Sequence, residues 1–382
     1  MRPAFLLALA AVLVASATGP DSANAGTTWR SVHFRGPGAS RDLLLVGTPD
    51  WYGPKRNPPL PLVISPHARG GNAFKNKRRW GDLPGREGLI VLDPSLKGRV
   101  LGEDRAWGYP PMVSALARLP LTARRILPWL RWDPDRVYAA GFSMGAQEAL
   151  LLLARQPDLL AGVSVADPVT DFLRRWYEFR DSPLTRSEQA KATREVGGTP
   201  RTAPWLYRRR SPAAFARTIA FSGVPVQLWW NPRDETVVNQ ATTQTGRFQR
   251  LLLQLNPQAP VDGVVHHAPH GWVFRAENSL PAMLDFLLAQ RRHPPPPAGF
   301  SYASYLRSAT VWGWKFRSGD VAHAFWKVDG VRADGLRSSS PSWLEVTPPK
   351  PVAAAEVDGR TRRLRANRLR LPPGRHVVRL LP

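Results

Sequence analysis

The 382-residue sequence contains no cysteine. That excludes disulfide staples, thiol nucleophiles and cysteine-ligated metal centres. Lysine is scarce too, at eight of the 53 basic side chains, the rest being arginine. Acidic residues number only 29, which leaves a formal net charge of +24. After residue 25 no apolar run approaches the ~18 residues of a membrane span, so stable membrane insertion is not expected. Nucleic-acid signatures are missing as well: there is no helix-turn-helix, zinc finger or aromatic-laced ribonucleoprotein motif. The arginine bias arrives with many Ala, Pro and Gly residues and reads as codon composition on a solvated basic surface. A nucleic-acid partner is not expected, whereas weak adhesion to an anionic cell-wall polymer is compatible with the charge.

The chain opens with Met1-Arg2-Pro3, an apolar run Ala4–Val14, and then Ala23-Asn24-Ala25. This is the pattern of a secretory signal over residues 1–25, so export to the cell envelope or beyond is expected. Its loss removes Arg2 and Asp21 together and leaves the net charge unchanged. The roughly 357 residues that remain suit one large domain and a small one.

Short apolar runs alternate with helical stretches from residue 60 to 290. Strands are predicted at Pro61–Ser65, Leu89–Leu92, Arg136–Ala140, Ala161–Val165, Val224–Trp230 and Val261–Val265. Each is β-rich and almost continuously apolar, as buried parallel strands are. Helices are predicted at Ala146–Ala154, Asn239–Leu255 and Leu280–Arg291. Upstream, Ser31–Phe34 and Asp42–Val46 flank a Gly/Pro turn and read as an antiparallel hairpin on the sheet edge. The alternation implies a doubly wound, mostly parallel α/β sheet. Residues 170–220 interrupt it with a polar, Arg-rich insertion, read as a helical cap over the site. The run at 292–299, with four consecutive prolines, is a stiff linker. Beyond it the period becomes two, and residues 300–382 read as a small β-sandwich.

One serine stands out within this frame. YAAGFSMGAQEAL, residues 138–150, places Ser143 between two glycines. G-x-S-x-G arises by chance in about one chain of this length in ten. Here a β-rich run precedes it and a strong helix former follows. That is the context of a nucleophile on a tight strand-to-helix turn, with partial positive charge from the helix N-terminus beside it. A serine hydroxyl at neutral pH needs a base and an orienting acid. Asp234 ends one predicted strand, with Glu235, Asp167 and Asp171 as competing carboxylates. His270 lies past the end of another, with His266 and His267 as alternatives. Adjacent residues of a strand point opposite ways, so His266 and His267 do not easily share a metal ion. For Asp167 and Asp171, helix capping or anchoring of the cap is the simpler reading.

Four segments carry a resemblance. PLVISPHARGGNAF, DPDRVYAAGFSMGAQEALLLLARQPDLLAGVSVADPVTDF, REVGGTPRTAPWLYRRRSP and NPRDETVV resemble the α/β-hydrolase catalytic domain of prolyl oligopeptidase-type serine hydrolases, over residues 40–290. The resemblance implies Ser143 as nucleophile, Asp234 as acid and His270 as base. It also implies an oxyanion hole from the backbone N–H groups of Met144 and of a residue in the His67–Gly71 loop, here Ala68. Two departures stand out: alanine replaces the usual glycine after His67, and about 35 residues leave no room for a gating N-terminal propeller. Without a gate an ester substrate is as reasonable as a peptide. No metal or organic cofactor is implied. Two other readings are a non-catalytic hydrolase fold that binds a ligand, and a polysaccharide-anchored protein. In the second, Trp312, Trp314, Trp326 and Trp343 would form a sugar-stacking face, against the simpler reading of core packing.

Overall fold

The computed structural model describes residues 26–36, 41–95, 106–292, 299–320, 323–332 and 335–381. The predicted leader, the predicted Gly/Pro turn at 37–40 and all but the ends of the predicted proline linker lie outside them.

Among the described residues eight strands form the main sheet: β1 (Thr27–Arg35), β2 (Arg41–Pro49), β3 (Leu60–Ile64), β4 (Ile90–Ser95), β5 (Trp132–Phe142), β6 (Gly162–Ala166), β7 (Val226–Trp230) and β8 (Val261–Val265). Their order is β1-β2-β4-β3-β5-β6-β7-β8. The first two pairings are antiparallel, which confirms the edge hairpin, and the remaining five are parallel. The predicted apolar runs correspond to β3–β8 within a few residues at each end. β8 differs in one respect: it is the outer strand, so its residues are only half covered rather than buried.

Among the described residues ten α-helices accompany the sheet: α1 (Ala73–Trp80), α2 (Leu83–Arg86), α3 (Pro110–Ile126), α4 (Met144–Arg155), α5 (Phe172–Glu178), α6 (Glu188–Val196), α7 (Pro204–Arg208), α8 (Ala216–Ala220), α9 (Thr245–Leu255) and α10 (Leu280–Leu288). One face buries Leu116 and Leu119 of α3, Leu150 and Leu153 of α4, Ile219 of α8 and Leu252 of α9. The other buries Trp80 of α1, Leu83 of α2, and Leu284 and Leu287 of α10. Coverage on both faces explains why the central runs of β3–β6 are mostly apolar, as a doubly wound sheet requires, while the polar Asp133, Asp135 and Arg136 stand at the start of β5. Asn239–Leu255 is not one helix. Residues 239–244 make a turn in which the Asn239 carbonyl accepts the N–H groups of Thr242, Thr243 and Gln244, and α9 starts at Thr245. α3 is unforeseen because Pro110, Pro111 and Pro120 obscure its period; the first two cost little in a first turn, where no intrahelical donor is lost.

Residues 170–220 are mainly helical, as expected. Phe172 of α5 stacks between Trp107 and Tyr207, with ring centroids 4.9 and 5.1 Å away. This apolar cluster seats the insertion beside the end of β5.

The C-terminal part is two antiparallel sheets built from β9 (Ser301–Ser304), β10 (Ser308–Val311), β11 (Trp314–Ser318), β12 (Trp326–Arg332), β13 (Gly335–Ser340), β14 (Leu344–Thr347), β15 (Ala354–Val357), β16 (Arg360–Arg363), β17 (Leu369–Leu371) and β18 (Gly374–Leu381). Their orders are β10-β11-β14-β17 and β16-β15-β18-β13-β12-β9. Between them lies a core that includes Trp314, Phe316, Trp326 and Val328. The sugar-stacking reading is therefore corrected. Trp314 and Trp326 are core residues, the latter with its indole N–H on the Leu306 carbonyl at 2.7 Å, and Trp312 lies against Phe300. No face carries all four rings. The layer docks on the body through the Tyr302 hydroxyl on the Arg155 carbonyl (3.1 Å) and Trp205 against Phe325 (4.6 Å).

Candidate active site

Ser143 sits where β5 ends and α4 begins, with φ 55° and ψ −125°. A non-glycine residue in the left-handed region costs on the order of 1–3 kcal/mol and persists only where its surroundings dictate it. Here the Ser143 N–H donates to the Ala166 carbonyl (2.9 Å), and the Ser143 carbonyl accepts from Gln147 (3.0 Å). The flanking glycines are steric necessities. A Cβ on Gly145 would lie 2.0 Å from the Pro66 carbonyl oxygen, and one on Gly141 would lie 2.9 Å from the Gly145 carbonyl carbon. Both are backbone atoms that cannot step aside cheaply. Gly145→Ala is accordingly expected to lower stability by about 1–3 kcal/mol or more, the usual cost of overpacking. Urea unfolding would measure it, and an unchanged midpoint would contradict this packing.

His270 stands in the loop after β8. The next residue, Gly271, has φ 64°, and a Cβ there would meet the Phe142 ring at 2.3 Å. The loop thus lies flat against the end of β5, beside Ser143. The His270 Nδ1 is 2.7 Å from Oδ2 of Asp234, which follows β7. Oδ1 of Asp234 accepts the N–H groups of Thr236 and Val237 at 2.8 and 2.9 Å. Burial pushes the Asp234 carboxyl up, but His270 and the two backbone donors outweigh it and hold it below its ordinary 3.8. A depressed carboxyl contributes stability above its ordinary value and loses it as pH falls through the depressed one. The stability difference between wild type and Asp234→Asn is therefore expected to be full at neutral pH and to shrink in acid below the carboxylate range. Paired thermal melts from pH 7 to pH 3 would test this; a gap that widens in acid would contradict it.

The Nε2 atom of His270 has no hydrogen-bond partner among the described residues, and His270 and Ser143 line the same cavity of about 970 Å³. Ala68 and the rest of the His67–Gly71 loop line it as well. The loop is a tight turn, with the Gly71 N–H on the Ala68 carbonyl at 3.0 Å. Its Arg69 is held by Glu188 (3.1 Å) and Glu195 (2.5 Å) of α6 and lies over Trp107, whose indole N–H also donates to Glu195 at 2.7 Å. The turn and the insertion are therefore one assembly. Met144 is the first residue of α4, where a helix leaves its N–H groups free of intrahelical partners.

The competing residues separate cleanly. Glu235 and His267 are exposed. Asp171 caps α5, accepting the Arg174 N–H at 3.0 Å, as the simpler reading had it. Asp167 does not. It is fully buried after β6, with φ 47°, and collects His266 Nε2 (3.1 Å), the Asn231 N–H (3.2 Å) and the Gly271 N–H (2.8 Å). Its Oδ2 also lies 3.9 Å from His270 Nδ1. Asp167 thus pins the histidine loop from beneath. The available sequence signal was its place at the end of a strand between those bearing Ser143 and Asp234. Asp167, Asp234 and His270 are close enough to share a cation. Every carboxylate oxygen of the two already accepts a hydrogen bond, however, so the donor set fits a hydrogen-bonded base better than a metal centre.

No family model matches the chain. The NocK protein of Nocardia uniformis subsp. tsuyamanensis, a candidate esterase by its name, is 34% identical over 150 residues, 37% of this chain and 41% of NocK. Among solved structures, the acylaminoacyl peptidase of Pyrococcus horikoshii superposes with a TM-score of 0.53 at 13% identity, covering 70% of this chain and 42% of that one. This is an α/β-hydrolase fold, resembling prolyl oligopeptidase-type catalytic domains. A puromycin-hydrolysing peptidase of Mycobacterium tuberculosis gives 0.52 at 18% identity, over 68% of this chain and 38% of that one. The dipeptidyl peptidase 4 of Porphyromonas gingivalis gives 0.50 at 14%, over 69% and 36%. The hydrolase-fold chain thus spans about two-fifths of the length of these relatives.

Proposed function

We propose that this protein is an exported serine hydrolase that cleaves an ester or a peptide-like amide through an acyl-enzyme. The observation that carries the reading is the left-handed Ser143 on its strand-to-helix turn, sharing one cavity with a histidine whose Nδ1 is 2.7 Å from a buried aspartate. His270 Nε2 takes the Ser143 proton as Oγ attacks the substrate carbonyl carbon. Asp234 keeps the proton of the neutral imidazole on Nδ1, leaving Nε2 free as the base, and stabilises the imidazolium that forms. The N–H of Met144 and one from the His67–Gly71 loop, Ala68 being the candidate, hold the oxyanion of the tetrahedral intermediate. In enzymes of this kind one such donor is worth about 3–4 kcal/mol of barrier. His270 then protonates the leaving group, and water repeats the sequence on the acyl-enzyme.

The esterase name of NocK and the peptidase titles of the solved structures support both substrate classes. The leader pattern at residues 1–25 supports export. A panel of nitrophenyl esters and aminoacyl nitroanilides, run with wild type and Ser143→Ala, tests the reading. Turnover of one class that disappears in the variant is the expected result. No turnover of any member, with no covalent adduct at Ser143, would favour a ligand-binding protein on the same fold.

A further inference from the structure

The cavity wall is unbalanced in charge. Across the whole chain 53 basic side chains face 29 acidic ones, but around the cavity five cations face the single carboxylate of Glu188. Two of the five, Arg69 and Lys191, are ion-paired with Glu188. Lys75, Arg79 and Arg194 have no carboxylate within ion-pair distance among the described residues.

They approach from two sides. Lys75 and Arg79 lie one turn apart on α1 of the body, and Arg194 lies on α6 of the insertion. The Lys75 ammonium donates to the Gly70 carbonyl at 3.3 Å. Arg79 lies 3.9 Å over the Phe142 ring and donates to the Gly271 carbonyl at 2.7 Å, which places it between the serine turn and the histidine loop. Burial first, then neighbouring Arg275, lowers it to about 10, still cationic at neutral pH. Like charges gathered at a concave surface repel one another and focus their field into the cleft. An arrangement of this kind is relieved by an anion.

Building on the hydrolase reading above, we infer that the substrate carries an anionic group, of carboxylate type, held in the cavity between α1 and α6 while its ester or amide carbonyl lies at Ser143. Lys75 and Arg194 receive the charge directly, with Arg79 reinforcing it from below.

Calorimetry on the full-length Ser143→Ala chain separates this inference from the hydrolase reading, because binding there needs no turnover. The probes are monophenyl glutarate, an ester with a free carboxylate, and its neutral methyl ester. We expect the anionic probe to bind at least about tenfold tighter at low salt, the size of effect that partly solvated charges give at contact. The advantage shrinks as salt rises. Adding Lys75→Glu or Arg194→Glu lowers the ratio about tenfold. In the wild type the same preference appears in KM for the two esters rather than in kcat. Equal binding of the two probes, or a preference untouched by both charge reversals, overturns the inference. Turnover of the neutral ester would then leave the Ser143 chemistry standing, whereas selective binding without any covalent adduct would uphold the inference and remove the chemistry.

Discussion

Ser143→Ala is expected to lower kcat by roughly 10⁶-fold, with KM nearly unchanged. Without the Oγ atom no acyl-enzyme forms, and only attack by water near the oxyanion donors remains, about 10³–10⁴ above the uncatalysed rate. The loss is chemical rather than structural. Alanine at φ 55° meets the same Cβ strain as serine, and both backbone bonds that fix the turn belong to the main chain. The melting temperature is therefore expected to stay within a few degrees of wild type. A variant that folds and keeps turnover within tenfold would move the nucleophile elsewhere.

The second large effect is at Asp234. Asp234→Asn keeps the shape but replaces an acceptor by a possible donor to Nδ1, which favours the imidazole tautomer with its proton on Nε2. In that form His270 cannot take the serine proton, and the expected fall in kcat is about 10⁴-fold. Asp167 makes the outcome informative. Its Oδ2 is 3.9 Å from the same Nδ1, yet that oxygen already holds the Gly271 N–H at 2.8 Å. To replace Asp234 it would have to let go of the loop that positions His270. We therefore expect little rescue, and an Asp167→Asn, Asp234→Asn pair no slower than about tenfold beyond Asp234→Asn alone. Asp167→Asn by itself leaves His270 its acid but weakens the loop, so a smaller rate loss with reduced stability is expected. Residues in one hydrogen-bond network do not contribute additively, and kinetics of the four variants would expose the coupling. A fully active Asp234→Asn that dies only when Asp167 is also changed would assign the orienting acid to Asp167.

Much of this architecture was legible in the residues. Nearly continuous apolar runs located β3–β7, because strands covered on both faces have little polar side to show; β8, the half-covered outer strand, was located by its valines. The serine turn was legible because its requirements are local: two glycines, a β-rich run and a helix former. The candidate partners, Asp234 and His270, were legible by position, each just beyond a strand end, and the structure brings them within 2.7 Å of each other. Asp167 was misread because a carboxylate after a strand looks the same whether it caps a helix or pins a neighbouring loop. Only the packing of three strand ends tells them apart. α3 was hidden by its prolines. The tryptophans of the β layer could be counted but not placed, since alternation says which residues share a face and not which face meets the other sheet. The cationic cavity wall was out of reach for a related reason: α1 and α6 are more than a hundred residues apart.

The most direct measurement is covalent. A fluorophosphonate captures only a serine whose proton can be removed as it attacks, and mass spectrometry of the digested protein shows where the adduct sits. One adduct on Ser143, slowed in His270→Ala and missing in Ser143→Ala, is the predicted result. Equal labelling of wild type and Ser143→Ala, or an adduct confined to another residue, would contradict it.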